Sequence, residues 1–240
     1  MLLRITDALL SVVYPQQCGV CNIIVGNSED GIACGDCWDK TIFFTDNVTL
    51  CSKCGAFLRD SQTPSQVFCH KCDDHHYDLA RAVGTYREAL AASVIALKTT
   101  PFIASRPCKL LLAAFHNSPF FDSTLIVPVP LSAKRRLERG FNQATVIANA
   151  LSKATAIPTD EFSLARKIDT PMHRAAMDRK ARDLTVRNAF EVRRPKLIAG
   201  QTILLVDDVF TSGATVSHCA KVLKKNGAIK VNVLTLARAV

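Results

Sequence analysis

The sequence predicts an α/β protein: a central parallel sheet with covering helices, preceded by a small cysteine-rich module held by zinc. Three observations carry this expectation. Eight of the ten cysteines fall between Cys18 and Cys72 as four CxxC pairs. Beyond Leu79, stretches of helical and strand periodicity alternate, which implies parallel strands joined by crossover helices. Finally, "ILLVDDVFTSGAT", Ile203 to Thr215, runs four aliphatic residues into two adjacent carboxylates and a turn of small hydroxyl residues.

At 240 residues with 48% hydrophobic content, the chain has room for one ordinary domain and a smaller one. The expected boundary lies near residue 78, giving a zinc-binding region 1–78 and an α/β region 79–240. Lys and Arg exceed Asp and Glu by 30 to 21, a formal charge of +9. That balance suits a polyanionic partner, although a basic solvated surface would have the same composition. Leu2, Leu3, Ile5, Leu9, Leu10 and Val13 are spaced for the apolar face of a short N-terminal helix, for core packing or a peripheral membrane contact. Asp7 interrupts that run and no small-residue cleavage site follows, so a secretory signal is not expected. No stretch reaches the ~18–20 apolar residues of a membrane span. A cytoplasmic location with reduced cysteines is the expectation.

The pairs Cys18/Cys21, Cys34/Cys37, Cys51/Cys54 and Cys69/Cys72 are separated by 12, 13 and 14 residues. Two sulfurs three positions apart on a tight turn reach one ion, and two such turns give four thiolates with Zn–S near ~2.3 Å. Two structural zinc ions are therefore expected, paired either sequentially, as in successive zinc ribbons, or in an interleaved order. His70, His75 and His76 are alternative ligands. Gly19, Gly35 and Gly55 stand where a knuckle backbone often needs positive φ. Four-thiolate sites are closed, so this zinc holds structure and does no chemistry.

In the second region, Arg87–Thr100 reads as a helix with Leu90, Val94 and Leu97 on its apolar face. Ala104–Ser118 reads as another that starts after Pro107. "STLIVPVP", Ser123–Pro130, is a short apolar run bounded by prolines, which suits a strand covered on both faces. Asn142–Thr155 is a helix with Asn142 as N-cap and Pro158 beyond its end. Gln201–Asp208 is a strand, Thr215–Gly227 a helix closed by Gly227, and Lys230–Arg238 a last strand.

This places Asp207 and Asp208 at the carboxyl end of a central strand, with Thr211, Ser212, Gly213, Ala214 and Thr215 forming the turn into the next helix. Such a turn aims backbone N–H groups, a helix N-terminus and hydroxyls at one point, which is what a phosphate requires. Two carboxylates facing the same crevice accept hydrogen bonds from vicinal sugar hydroxyls, directly or beside magnesium. Together they point to a ribose 5-phosphate.

This stretch resembles the ribose-phosphate motif of type I phosphoribosyltransferases: apolar residues, two acids, two more apolar residues, then a Thr-rich loop with Gly and a final Thr. A narrower resemblance covers nearly the whole chain. "LIVPVPLSAKRRLERGFNQA", with RGFNQ at Arg139 to Gln143, the Asp-Asp motif and the cysteine-rich start are together similar to the ComF family of bacterial competence-associated proteins. The resemblance implies a type I phosphoribosyltransferase fold behind a double zinc ribbon. It implies phosphoribosyl pyrophosphate with magnesium as ligand, Asp207 and Asp208 on the ribose hydroxyls, and Thr211–Thr215 on the 5-phosphate. The loop after the first strand would bring Arg135, Arg136 and Arg139 to the pyrophosphate, for which arginine forks are suited.

A basic stretch between the strands, with Arg174, Arg179, Lys180 and Arg182, corresponds to a mobile loop in the family. Here the chain departs from the family pattern: His173 stands in place of Gln, the Asn expected near Thr185 is missing, and the spacing differs by one residue. Several purine-salvage relatives carry an Asp where Thr211 stands, and Thr cannot move a proton on a base at neutral pH, so purine salvage is disfavoured. Family membership further implies a part in DNA uptake and transformation, with single-stranded DNA and a helicase-like protein as partners. An active phosphoribosyltransferase with an unnamed acceptor, and a non-catalytic adaptor, are the competing readings. Aromatic residues are only 7%, little material for stacking bases.

Overall fold

The computed structural model describes residues 15–44, 49–58, 67–168 and 188–240. The N-terminal apolar segment 1–14 and the basic residues Arg174, Arg179, Lys180 and Arg182, with His173 and Thr185, lie outside the described residues.

Four strands form one all-parallel sheet in the order β1 (Leu79–Thr85), β6 (Lys230–Arg238), β5 (Thr202–Phe210), β2 (Leu125–Pro128). β5 and β6 are therefore the central pair, registered Leu204 to Asn232 and Asp207 to Thr235. Their near-continuous aliphatic composition follows from burial on both faces. A second, two-stranded antiparallel sheet joins β3 (Leu164–Arg166) and β4 (Phe190–Val192).

A short helix α1, Gly35–Asp39, lies within the cysteine-rich region. The first helix beyond it, α2, spans Glu88–Ala96 and buries Leu90 and Val94, with Leu97 just beyond its end. α3 spans Ser105–His116. It starts two residues before Pro107 rather than after it, because a proline in the first turn occupies a position whose N–H has no intrahelical acceptor. α5, Gln143–Thr155, begins as expected: the Asn142 side chain accepts from Ala144 N–H at 3.1 Å. α7, Ala214–Lys225, is followed by Gly227 at φ 90.

Several elements, the two strands of the small sheet among them, were not expected. β1 sits at the sheet edge beside β6. The segment after β2 is a helix, α4, over Ala133–Arg139, where the sequence suggested a loop. Ser132 Oγ caps it by accepting from Arg135 N–H, Gly140 ends it at φ 76, and seven good helix formers lie between. It has no buried residue, so no apolar periodicity marked it. A short helix α6, Pro195–Ile198, precedes β5.

The cysteines gather in two groups, Cys18/Cys21/Cys34/Cys37 and Cys51/Cys54/Cys69/Cys72. The sequential pairing is thus the one the fold adopts, and among the described residues no histidine joins either group. Sγ–Sγ separations of 3.6 Å (Cys21–Cys34), 3.7 Å (Cys51–Cys72), 3.4 Å (Cys54–Cys69) and 3.6 Å (Cys69–Cys72) match the ~3.8 Å edge of a tetrahedron with ~2.3 Å Zn–S bonds. The chain thus has two zinc-binding sites of four cysteines each, and sulfurs at these spacings fit a structural zinc ion in both.

The two knuckles repeat one design. Cys34 N–H donates to Cys18 Sγ and Cys69 N–H to Cys51 Sγ, each at 3.3 Å. Burial opposes ionisation, but backbone N–H donors hold both Cys18 and Cys51 down at about 6, favouring the thiolate a metal needs. The residue after the first CxxC is left-handed in each, Asn22 at φ 62 and Gly55 at φ 66. Gly19 and Gly35, in contrast, have ordinary φ.

Each knuckle packs on a different face of the main sheet. Cys18, Cys34, Cys37 and Trp38 share a cluster with α2, α3, α5 and the sheet residues Ile126, Leu204, Val206, Leu234 and Leu236. Cys51, Cys54, Cys72 and Tyr77 share the other with α7 and Leu125, Val127, Ile203, Leu205, Val231 and Val233. Among the described residues, no helix is long and apolar enough to cross a membrane.

The single tryptophan reports on the first knuckle alone. Trp38 is fully buried, donates Nε1–H to Asp30 O at 3.0 Å, and lies under the Arg106 guanidinium at 5.1 Å. Metal analysis should return two zinc ions per chain. Cys37→Ser should reduce this to one and red-shift Trp38 emission, whereas Cys72→Ser should also leave one zinc but keep the emission of wild type. One zinc in the wild type, or the same emission change in both variants, would contradict this arrangement.

Candidate phosphate and ribose site

β5 runs past its pairing with β2 and carries Asp207 and Asp208 to the C-terminal edge of the sheet, where parallel α/β folds bind ligands. Successive strand residues point to opposite faces. The two acids accordingly meet different surroundings. Asp207, in line with Ile203 and Leu205, lies on the α7 side with Cys219 and Arg166 in electrostatic range. Asp208, in line with Leu204 and Val206, lies on the side of α2 and α4, near Lys98, Arg139 and Tyr86. The expectation of two carboxylates facing one crevice is therefore refined: they straddle the strand end, while Asp208 N–H donates to Asp207 Oδ1 at 2.9 Å.

Burial pushes the Asp207 carboxyl well above the usual carboxylate range, and the negative charge of Asp208 pushes it further. Burial raises Asp208 as well, while the Lys98 and Arg139 charges work against that rise. Burial raises the Tyr86 phenol, with Asp208 adding to it. Such a charge-strained pair, half-accessible at a sheet edge, is held by the fold at a cost in stability.

The turn that follows has the form an anion site needs. Thr211 is exposed, Ser212 and Thr215 are half-buried, and Gly213 and Ala214 are buried. Gly213 is the N-cap of α7 at φ 81, a backbone conformation that disfavours any side chain. A Cβ there would also meet His75 Cε1 and Phe210 Cζ, each at 2.7 Å. The first N–H groups of α7 have no intrahelical acceptor. Ala214 N–H reaches Ser212 Oγ at 3.4 Å, a weak contact that an anion oxygen would improve upon.

The three arginines after β2 are split by α4. Arg135 and Arg139, four residues apart, share one half-buried face, and Arg139 is the one whose charge reaches Asp208. Arg136 is exposed on another face, 4.0 Å from Glu161. Lys98, Tyr86 and Arg166 were not picked out from the sequence. They reach the site from the connection after α2, the end of β1 and the small sheet, and no spacing in the chain links them to Asp207 or Asp208.

Comparison with known proteins agrees with this architecture. Residues 9–73 match the double zinc ribbon domain, and residues 137–239 match the phosphoribosyl transferase domain. The DNA utilization protein YhgH of Escherichia coli strain K12 is 30% identical over 235 residues, covering 95% of this chain and 99% of that protein. The competence protein F of Haemophilus influenzae is 33% identical over 115 residues, 48% of this chain and 50% of that protein. The competence protein ComFC of Bacillus subtilis strain 168 is 32% identical over 121 residues, 48% of this chain and 45% of that protein. The chain belongs to the ComF family, the DNA utilization and competence proteins that carry a double zinc ribbon ahead of a phosphoribosyltransferase domain.

Proposed function

We propose that the C-terminal edge of the sheet binds phosphoribosyl pyrophosphate with magnesium, and that the protein uses this site in the handling of internalised DNA. The observation that carries the reading is the pairing of a left-handed Gly213 turn at a helix N-terminus with two acids held above their ordinary range one strand-end away. The Thr211–Thr215 turn receives the 5-phosphate. Asp207 and Asp208 accept from the ribose hydroxyls, and their strain is relieved when hydroxyl donors and a cation approach. Arg139 and Lys98, already facing Asp208, meet the pyrophosphate, with Arg135 on the same helix face and Arg136 at the rim. Magnesium, when bound, would neutralise the pyrophosphate oxygens. If an acceptor attacks the anomeric carbon, these residues position both phosphates and stabilise the leaving group; Thr211 supplies no proton transfer to a base. Residues 1–78 serve as the zinc-ribbon module and 79–240 as the domain bearing the site, in a cytoplasmic protein.

A second surface supports the DNA part of this reading. His76 stands among Lys53, His218, Lys221 and Lys224; burial, then these charges, hold its imidazole below the ordinary histidine range. A cluster of this kind suits the phosphates of a single strand, and several relatives carry DNA utilization or competence in their names. A helicase-like protein would be the partner that delivers or receives the strand.

Titration calorimetry with phosphoribosyl pyrophosphate and magnesium should give saturable binding to the wild type and none to Asp207→Ala/Asp208→Ala. Absence of binding to the wild type would end this reading. The acids' direction of shift yields a linked result. A carboxyl raised on folding binds more protons folded than unfolded between the ordinary carboxylate range and its raised value, so stability falls as pH rises through that window. Asp207→Asn should therefore raise Tm at pH 7 by about 2–4 °C, the effect of about 1 kcal/mol in a chain of this size, with a smaller gain at pH 4. A lowered Tm at pH 7 would contradict the strain. For the DNA surface, binding of a labelled single-stranded oligonucleotide should weaken with salt, and Lys221→Ala or Lys224→Ala should flatten the slope by about one contact. Salt-independent binding would exclude it.

A further inference from the structure

We infer that the second zinc knuckle is the positioning element of the phosphate turn, acting through Arg238, Tyr77 and His75. This inference rests on the proposed role of that turn as a phosphate site. Three separate links join the knuckle to the turn. Arg238, at the end of β6, donates from Nη1 to Cys54 O at 2.6 Å and approaches Cys54 Sγ with Nη2 at 3.7 Å. The same guanidinium lies over the Phe210 ring at 4.3 Å. Phe210 is buried as the last residue of β5, immediately before Thr211.

The second link leaves from Cys72, whose carbonyl accepts from His75 N–H at 3.1 Å. His75 Nδ1 and the Tyr77 hydroxyl are 2.6 Å apart, and Lys53 Nζ donates to His75 O at 2.8 Å, so the residue is held at both its ring and its backbone. Tyr77, fully buried, packs edge-on against Phe210 with centroids 5.9 Å apart. His75 and Phe210 together form the two walls that leave no room for a Cβ at Gly213. Through the third link, His76 N–H donates to Ser217 Oγ at 3.1 Å, tying the same strand of chain to the first turn of α7.

The left-handed backbone at Gly213 is thus enclosed by His75, whose backbone N–H donates to the carbonyl of Cys72, and by Phe210, which packs against Arg238, the donor to the carbonyl of Cys54. A turn aimed at an anion must hold several N–H groups in one fixed direction before the anion arrives, and small misplacements weaken binding. Cys54 and Cys72 supply that fixity once their ion closes the knuckle. The first knuckle, on the opposite face of the sheet, makes no such link among the described residues.

The experiment uses the full chain with ribose 5-phosphate as probe. Cys69→Ser and Cys21→Ser should each retain one zinc. Cys69→Ser should bind the probe at least about tenfold more weakly than wild type, whereas Cys21→Ser should bind as wild type does. Should Cys69→Ser fail to fold, Tyr77→Phe serves in its place: with both zinc ions retained, loss of the hydroxyl that holds His75 should weaken binding about three- to tenfold. Hydrogen exchange of the 211–217 amides supplies a readout without ligand. Those amides should exchange faster than in wild type in Cys69→Ser and Tyr77→Phe, and at the wild-type rate in Cys21→Ser. Equal affinity and equal exchange in all variants would overturn the inference. Failure of the wild type to bind ribose 5-phosphate would instead remove the phosphate reading, and the exchange data alone would then decide whether the knuckle fixes the turn.

Discussion

A parallel sheet must be covered on both faces, and most of this structure follows from how that requirement is met. One face has α2, α3 and α5; the other has α7 as its one long helix among the described residues. Each face is completed by one zinc knuckle, which brings sulfur-bearing turns and one large aromatic, Trp38 or Tyr77, onto the sheet. Besides their cysteines the knuckles bury few apolar side chains, Val25, Ala33 and Trp38 in the first and Tyr77 beside the second, while Ile23, Ile24, Ile42, Phe57 and Phe68 stay exposed. Burying a leucine contributes about 1.5–3 kcal/mol, whereas structural zinc in small peptides contributes about 10–16 kcal/mol apparent. Ligation, not apolar burial, is therefore what lets such short segments act as covering layers.

The same cover places the chemistry. β5 is a strand buried by both faces, and its last residues run past the end of β2 while still paired with β6. The acids there have different neighbours because the strand pleat sends one toward each layer. Asp207 belongs to the surroundings of α7 and the small sheet, Asp208 to those of α2 and α4. The cations near them offset burial only in part, which is why both carboxyls are raised. An apolar replacement would be more stable in the empty protein; the strain is consistent with a ligand that brings hydroxyl donors and cations.

Much of this was legible in the sequence where local chemistry is sufficient. Four CxxC pairs required metal, and the run from Ile203 to Thr215 carried strand, acids and turn in consecutive residues. Legibility ended where packing decides. Spacings of 12, 13 and 14 residues allow either zinc pairing, and only the attachment of each knuckle to its own sheet face selects the sequential one. β1, "LARAVGT", carries two alanines, a glycine and an arginine beside Leu79 and the β-branched Val83 and Thr85, so its composition is a weak strand signal and pairing with β6 is what fixes it. α4 buries nothing and therefore left no period to read; its caps, Ser132 and Gly140, were the available signal. Lys98, Tyr86 and Arg166 join the acids through space, and the clamp on Gly213 links Cys54, Arg238 and His75 across most of the chain.

The central claim is that the Gly213 turn and the acid pair form one ligand site at the end of β5. A crystal structure of the zinc-loaded chain grown with phosphoribosyl pyrophosphate and magnesium tests it most directly. The account predicts the 5-phosphate seated on the N–H groups of the 211–215 turn, with ribose hydroxyls donating to Asp207 and Asp208 and the pyrophosphate beside Lys98 and Arg139. A saturated crystal in which that turn holds no phosphate, or in which the ligand lies elsewhere, would contradict it.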